Sequence, residues 1–268
     1  MAKLEQSQFR NRVLVAALLI PAIILITWAG GILFALVVGA AALIATWEFF
    51  RLMEKGGFNP LWPMGLILTA FLVLNAFWPH LNLLPFGLSA WIVVATIWQL
   101  FRRTIYPAVD WALTLAGGFY IGWLISHFVS LRSLPNGYTW VLLTLFITWA
   151  EDSGAYFVGL KWGKRPIWPR LSPKKTWEGT IGGWLAGVLA AIVLGTIAGI
   201  PLHHSLALGI IVATTAPFGD LAVSMIKRQV GAKDSGTIFP GHGGMLDRID
   251  SLLFAAIGVY YYVVTVVF

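Results

Sequence analysis

Long apolar runs dominate the chain, and short polar stretches separate them. A helix that crosses the hydrocarbon core of a bilayer needs about 20 mostly apolar residues. Nine runs come close to this length, at about 13–29, 31–50, 61–78, 83–101, 111–131, 139–160, 179–200, 206–225 and 250–268. The pattern therefore predicts an all-α polytopic membrane protein with about nine transmembrane helices.

Glycine and proline mark the boundaries and contacts of these helices. Gly30-Gly31 and the stretch 79–82 are expected to form the turns of two helical hairpins. In the seventh run, small residues recur every four positions, which predicts close packing against a neighbouring helix. They are Gly179, Gly183, Gly187, Ala191, Gly195 and Gly199. Pro217 and Gly219 predict a kink or an unwound turn in the eighth run.

Composition and charge agree with a membrane protein and suggest its orientation. The chain is 59% hydrophobic and 11% charged, and it has no cysteine, which excludes thiolate metal sites. With the N-terminus in the cytoplasm and the C-terminus outside, seventeen of the eighteen Lys and Arg residues fall inside, and Arg132 is the exception. The net charge of +7 thus indicates loops facing anionic lipid, not nucleic acid. We expect an integral membrane protein whose basic loops face the cytoplasm.

The acidic residues divide the chain into two parts. Residues 1–137 form a predicted scaffold of about five spans, whose acids all lie at or near predicted helix ends. These are Glu5, Glu48, Glu54 and Asp110. Residues 138–268 form a predicted catalytic region with two cytoplasmic loops, 161–178 and 226–249. Its acids are Glu151, Asp152, Glu178, Asp220, Asp234, Asp247 and Asp250.

Asp220 carries the strongest signal, because it interrupts an apolar run. A carboxylate at the centre of a membrane helix costs roughly 2.5–3.5 kcal/mol, so it needs a partner or a polar cavity. A structural ion pair with a neighbouring helix would explain it. Alternatively, the predicted topology puts Asp152, Asp220, Asp247 and Asp250 at one depth, where four carboxylates would need cations. Such hard oxygen ligands favour Mg²⁺ or Mn²⁺ over zinc.

The two loops beside these acids are basic and rich in glycine. The positive-inside rule accounts for the number of charges. It accounts less well for their mixing with Ser, Gly and acids, as in Lys174-Lys175-Thr176 and in the stretch 241–244. Point charges, hydroxyls and exposed backbone N–H groups are what a polyphosphate needs. The sequence therefore predicts a metal and phosphate site at the cytoplasmic membrane surface.

Polar segments of the second half also carry a longer motif. They read Ser224-x-x-Lys227-Arg228, Lys233-Asp234-x-Gly236, Pro240-Gly241-His242-Gly243-Gly244 and Asp247-Arg248-x-Asp250. Together they resemble the signature of the phosphatidate cytidylyltransferases, or CDP-diacylglycerol synthases. The stretches 152–156 and 172–179 resemble two further segments of bacterial members, whose length and span number are also similar. Trp162 departs from the pattern, in which phenylalanine is expected.

The resemblance implies that CTP and phosphatidate react to give CDP-diacylglycerol and pyrophosphate for phospholipid biosynthesis. It implies Mg²⁺, with room for a second cation. The residues assigned to catalysis are Asp152, Asp220, Lys227, Arg228 and Asp247, with Asp152, Asp220 and Asp247 as metal ligands. Those assigned to substrate binding are Ser172, Lys174, Lys175, Thr176, Ser224, Lys233, His242, Gly243, Gly244 and Arg248. Glu178 and Asp250 are assigned supporting roles beside them.

Two other functions compete with this interpretation. An ion-coupled transporter could use Asp152 and Asp220 as coupling carboxylates, but it predicts acids near the bilayer midplane and no need for polar loops. A CDP-alcohol phosphotransferase would need an Asp-Gly-x-x-Ala-Arg motif, which the sequence lacks. The oligomeric state stays open, with a homodimer as one expectation.

Overall fold

The computed structural model describes residues 20–238 and 243–268. Within them the chain forms nine α-helices, and one helix matches each predicted apolar run. They are α1 (Ile20–Ala29), α2 (Gly31–Lys55), α3 (Trp62–Phe77), α4 (Leu84–Leu100), α5 (Pro107–Ser133), α6 (Gly137–Trp162), α7 (Trp177–Ile197), α8 (Leu202–Gln229) and α9 (Leu246–Tyr262). A 3₁₀ turn (Pro79–Leu81) precedes α4, and a π-helical turn (Val263–Val267) extends α9. The first residues of the run 13–29 lie outside the described part.

Six of these helices are long and apolar enough to cross a bilayer, namely α2, α5, α6, α7, α8 and α9 with its terminal turn. Helices α3 and α4 have 16 and 17 residues, fewer than a crossing normally takes. The prediction of an all-α polytopic membrane protein is therefore confirmed. Nine crossings, and the side on which each terminus lies, stay predictions.

The turns form where glycine and proline predicted them. Gly30 and Gly31 both have positive φ, of 61° and 54°, which glycine adopts without a steric penalty. Asn82 ends the 3₁₀ turn with a φ of 50°. Arg132, the basic residue predicted outside, donates from Nε to the Thr27 carbonyl at 2.7 Å. Its charge thus stabilises the C-terminal end of α1.

One element is not helical. In the basic loop between α6 and α7, strand β1 (Pro166–Trp168) pairs antiparallel with β2 (Ser172–Thr176). The sequence predicted a cytoplasmic loop at 161–178 without strands, because strands this short show no alternating pattern. The hairpin gives the loop a fixed shape at the start of α7.

The helices pack in two groups that share a core. Helices α2, α3 and α5 contact one another, with α4 against α3 and α5, while α6, α7, α8 and α9 form the second group. Helix α9 also packs on α2 and α5. The predicted boundary at 137/138 falls at the first residue of α6, but one apolar cluster crosses it, from Phe49 and Ile121 to Ile147 and Leu253.

The small residues of α7 allow it to approach α6 closely, as predicted. A Cβ added to Gly183 would collide with the Glu151 carbonyl and the Ala155 side chain. Five residues of the predicted stripe are buried on the helix: Gly179, Gly183, Gly187, Ala191 and Gly195. Gly199 instead follows the helix in a turn with φ of 72°.

Helix α8 is continuous through Pro217, so the unwound turn predicted as one alternative is wrong, while a kink at this proline stays a prediction. Proline removes one backbone donor, but neighbouring helices can hold such a segment in helical form. Here Ala216 is fully buried, and Gly219 lies against the Asp250 backbone of α9. Tertiary packing thus outweighs the local effect of the proline.

We expect Gly183→Leu to destabilise the protein, because the new side chain must push α6 and α7 apart. Overpacking of this kind typically costs about 1–3 kcal/mol. Thermal unfolding of the detergent-purified protein measures the effect. Ile181→Leu is the matched control, since Ile181 is exposed on the same helix and should tolerate the exchange. Equal unfolding temperatures for both variants would contradict the close contact.

Candidate functional site

Three carboxylates from three different helices lie near one another at one end of the second helix group. Asp152 comes from α6, Asp220 from α8 and Asp250 from α9. Each of them interacts electrostatically with the other two. The sequence reasoning placed these acids at a common depth, and the structure brings them together.

Asp220 is half-buried and forms an ion pair with a lysine of the hairpin. Lys175, from β2, places Nζ 2.5 Å from Asp220 Oδ2. One turn along α8, Ser224 Oγ donates to Asp220 Oδ1 at 3.2 Å. The side chains of Lys175 and Asp220 are 31% and 27% exposed, so water and a substrate can reach this ion pair. The β-hairpin is therefore held directly over the acid cluster.

Asp247 is more enclosed and has more donors. Lys227 Nζ lies 2.6 Å from its Oδ1, and the two side chains are 10% and 8% exposed. Its Oδ2 accepts from the Ser235 amide at 2.8 Å, the Ser235 hydroxyl at 2.9 Å and the Gly244 amide at 3.0 Å. This carboxylate thus fixes both ends of the loop between α8 and α9 to the end of α8.

The hairpin loop is fixed at its base by Thr176, which was predicted to bind substrate, and by Glu178, which was predicted to support the site. Thr176 Oγ1 accepts from the Gly179 amide at 3.2 Å and caps the N-terminus of α7. Glu178 Oε2 accepts from the amides of Lys164 and Arg165 at 3.0 and 3.2 Å. Both residues therefore shape the loop, and their roles toward the substrate stay predictions.

Arg228 connects the two loops. Its Nε donates to the Leu171 carbonyl at 3.2 Å in the hairpin, and Nη1 donates to the Ala232 carbonyl at 2.7 Å. The sequence reasoning assigned this guanidinium to phosphate, and in the structure it binds backbone instead. Its predicted phosphate contact stays untested. By this link, a movement of either loop affects the other.

The remaining predicted residues surround these contacts. Lys174, Lys233 and Arg248 are exposed, Ser172 and Gly243 are half-buried, and Gly244 is buried. Arg248 interacts electrostatically with Asp152. His242 lies outside the described residues.

Sequence reasoning missed two buried acids beside the site. Glu48 of α2 is 1% exposed, although it was predicted to be solvated at a helix end. It accepts hydrogen bonds from Ser235, Met245 and Leu246. Glu151 is 2% exposed and interacts electrostatically with Asp152 and Asp220. Both interrupt apolar runs, the same signal that singled out Asp220.

The donor set suits a magnesium ion only in part. No group of three or more His, Cys, Asp or Glu side chains within residues 20–238 and 243–268 is arranged to hold a metal by itself. Mg²⁺, however, is usually held by one or two carboxylates together with substrate phosphates and water. Asp152 and Asp220 meet that requirement. The buried Glu151 Oε2, which lacks a hydrogen-bond partner in the described part, adds an acceptor beside them.

Comparison with known proteins identifies the family. A model of the cytidylyltransferase family matches residues 10–266, almost the whole chain. The chain belongs to the cytidylyltransferase family. Its signature segments are those that supply the contacts of Asp220 and Asp247 described above.

Curated members of this cytidylyltransferase family resemble the chain over most of its length. The phosphatidate cytidylyltransferase of Bacillus subtilis (strain 168) is 30% identical over 260 residues, covering 94% of this chain and 96% of the relative. That of Brucella suis biovar 1 (strain 1330) is 33% identical, covering 95% and 93%. That of Mycobacterium bovis is 32% identical over 241 residues, covering 84% and 78%. The resemblance drawn from the sequence is confirmed.

We expect Lys227→Met to destabilise the protein by about 3–5 kcal/mol, because it leaves the Asp247 carboxylate enclosed without its countercharge. Thermal unfolding in detergent measures the loss. Lys161→Met serves as control, since Lys161 is exposed at the end of α6. Adding Asp247→Asn to Lys227→Met should recover at least part of the stability. A double variant no more stable than Lys227→Met would contradict the pairing.

Proposed function

We propose that this membrane enzyme transfers the cytidylyl group of CTP to phosphatidate, giving CDP-diacylglycerol and pyrophosphate for phospholipid biosynthesis. The observation that carries the proposal is the meeting of basic loops and carboxylates at one end of α6, α8 and α9, in a chain whose relatives are phosphatidate cytidylyltransferases. The transporter alternative has no support among these relatives.

The reaction follows from the charges of the substrates. An oxygen of the phosphatidate phosphate attacks the α-phosphorus of CTP, and the bond from that phosphorus to the oxygen bridging to the β-phosphate breaks. Pyrophosphate leaves with the bonding electron pair. A phosphate monoester carries about −1.5 to −2 charge near neutral pH, so the nucleophile is already ionised. The protein therefore needs to position two anions and offset their charge.

Lysine and arginine side chains would perform most of that work. Lys174 and Lys233 are exposed on the two basic loops and Arg248 is exposed in the first turn of α9, and these three would meet the phosphates first. Lys175 and Lys227 already lie on carboxylates, where each ammonium is held at a defined position. Ser172, Thr176, Ser224, His242 and the Gly243 and Gly244 amides are the remaining substrate-binding assignments. A lysine ammonium is well suited here as a compact point charge.

Magnesium is the expected cofactor, and Asp152, Asp220 and Asp247 are its proposed ligands. Asp152 and Asp220 fit most directly. Asp247 would join them only if Lys227 released Oδ1, since Oδ2 already receives three donors. A bound divalent ion would supply positive charge to the phosphate oxygens. A second cation and a homodimer remain part of the proposal without a structural argument of their own.

The site is proposed to face the cytoplasm from the inner leaflet of a bacterial cytoplasmic membrane. The described parts of both basic loops, 163–176, 230–238 and 243–245, meet the aspartates, through Lys175 at Asp220 and through Ser235 and Gly244 at Asp247. Basic loops are retained on the cytoplasmic side. CTP would then reach the site from water, and phosphatidate from the surrounding leaflet.

This orientation can be tested by thiol labelling, because the chain contains no cysteine. A membrane-impermeant maleimide applied to spheroplasts should label Ala198→Cys, in the turn after α7. It should label Arg170→Cys, in the hairpin before α7, only after the membrane is permeabilised. Both positions are exposed. The reverse labelling pattern would place the site on the outer face.

Replacing Asp220 tests the chemistry. We expect Asp220→Asn to lower kcat/KM at least about 100-fold, because the neutral amide loses both the lysine pairing and the capacity to bind a cation. The assay follows radiolabelled CTP into the lipid phase with phosphatidate and Mg²⁺ and no added alcohol. Glu54→Gln, an exchange in a surface ion pair on α2, is the control. Activity of Asp220→Asn within about tenfold of wild type would remove Asp220 from the metal site.

A further inference from the structure

One carboxylate from the N-terminal half lies at the start of α9. Glu48 Oε1 accepts from the Met245 amide at 3.0 Å, and Oε2 accepts from the Leu246 amide at 2.9 Å. Oε2 also accepts from the Ser235 hydroxyl at 2.9 Å. Ser235 and Met245 belong to the loop between α8 and α9, and Leu246 is the first residue of α9, all of them 187–198 residues away in sequence. Glu48 thus connects the predicted scaffold, residues 1–137, to the loop between α8 and α9.

Glu48 acts as the missing cap of α9. The first N–H groups of a helix have no partner within the helix, and a polar side chain normally accepts from them. The N-cap residue of α9 is Met245, whose side chain cannot do so. The Glu48 carboxylate accepts from two of these N–H groups and places negative charge at the positive end of the helix dipole. A residue of another helix therefore fixes where α9 begins.

Two signature glycines make room for this carboxylate. A Cβ added to Gly236 or to Gly244 would collide with the Glu48 side-chain oxygens. The sequence reasoning assigned Gly244 to close approach of a phosphate. In the structure its lack of a side chain admits Glu48, and its amide donates to Asp247. The glycine-rich loop is therefore shaped around an acid of α2.

A shared hydroxyl extends this contact to the site. Ser235 Oγ lies 2.9 Å from both Glu48 Oε2 and Asp247 Oδ2. Its single hydrogen can serve one of these carboxylates at a time. Asp247 in turn pairs with Lys227. Contacts thus run without interruption from Glu48 through Ser235 and Asp247 to Lys227.

We propose that Glu48 is a positioning residue for cytidylyl transfer. It sets the place of Ser235 and Met245 in the loop between α8 and α9 and of the first turn of α9, and through them the orientation of Asp247, Lys227 and Arg248 toward the substrate phosphates. Glu48 does not touch the substrates itself. This inference rests on the proposed function, since the loop is assigned to CTP and phosphatidate there.

Glu48→Gln tests the proposal, with Glu54→Gln on the same helix as matched control. The glutamine side chain has the same size as that of Glu48, but its NH₂ group faces one of the loop N–H or O–H donors and cannot accept from it. We expect KM for CTP to rise about 10-fold or more, because a buried donor left without an acceptor displaces the loop. Loss of folded enzyme would lower the maximal rate but would leave KM unchanged.

Loop order supplies a second measurement that does not depend on the reaction. Lys233 is exposed in this loop, so trypsin can cut after it. We expect Glu48→Gln to speed this cut about 10-fold relative to Glu54→Gln in detergent, since local opening governs cleavage of a folded chain. If the wild type forms no CDP-lipid, the proposed function fails, while this comparison still decides whether Glu48 orders the loop.

Three results would overturn the inference. The first is a KM and a cleavage rate for Glu48→Gln within twofold of the control. The second is a loss of activity with KM and cleavage both unchanged, which would separate Glu48 from the loop. If Glu48→Gln does not fold, Ser235→Ala removes the shared hydroxyl from the loop side. We then expect a higher KM and faster cleavage for Ser235→Ala. Wild-type values for both would be the third result that overturns the inference.

Discussion

A carboxylate that leaves water loses its hydration, and inside a bundle of apolar helices it must regain that energy from donors on other segments. In this protein the donors come from the loops. Asp247 accepts from Lys227, Ser235 and Gly244, and Glu48 accepts from the same loop on its other side. The need to satisfy these acids therefore holds the polar loops against the membrane helices.

The same requirement connects the two halves of the chain. The N-terminal helices contain the apolar core on which α9 rests, and their buried acids bind backbone rather than solvent. Asp110 accepts from the Asn59 amide at 2.7 Å, as Glu48 does from the start of α9. A division into scaffold and catalytic region is useful for function, but it does not describe how the helices pack. Residues of both the scaffold and the catalytic region define where α9 begins.

Much of this fold could be predicted from the sequence, because long apolar runs and their turns depend on local composition. Gly30-Gly31 and Asn82 form turns through their own backbone preferences. The acids that gather at the site could be found because each interrupts an apolar run. Glu48 was predicted to be solvated because it lies near the predicted end of its helix. Its hydrogen-bond partners instead lie in a loop that is distant in sequence. Pro217 was misjudged for a similar reason, since packing against α9 decides the outcome there.

The contact between α6 and α7 has a consequence for how the enzyme admits its substrates. Gly183 brings the α7 backbone against the Glu151 carbonyl, one residue before Asp152. Helices in such direct contact have no side chains between them to rearrange, so the α6–α7 contact beside the carboxylates is rigid. A bulky nucleotide and a two-tailed lipid must then be accommodated by the two basic loops. There a lysine paired with a carboxylate can exchange that anion for a substrate phosphate.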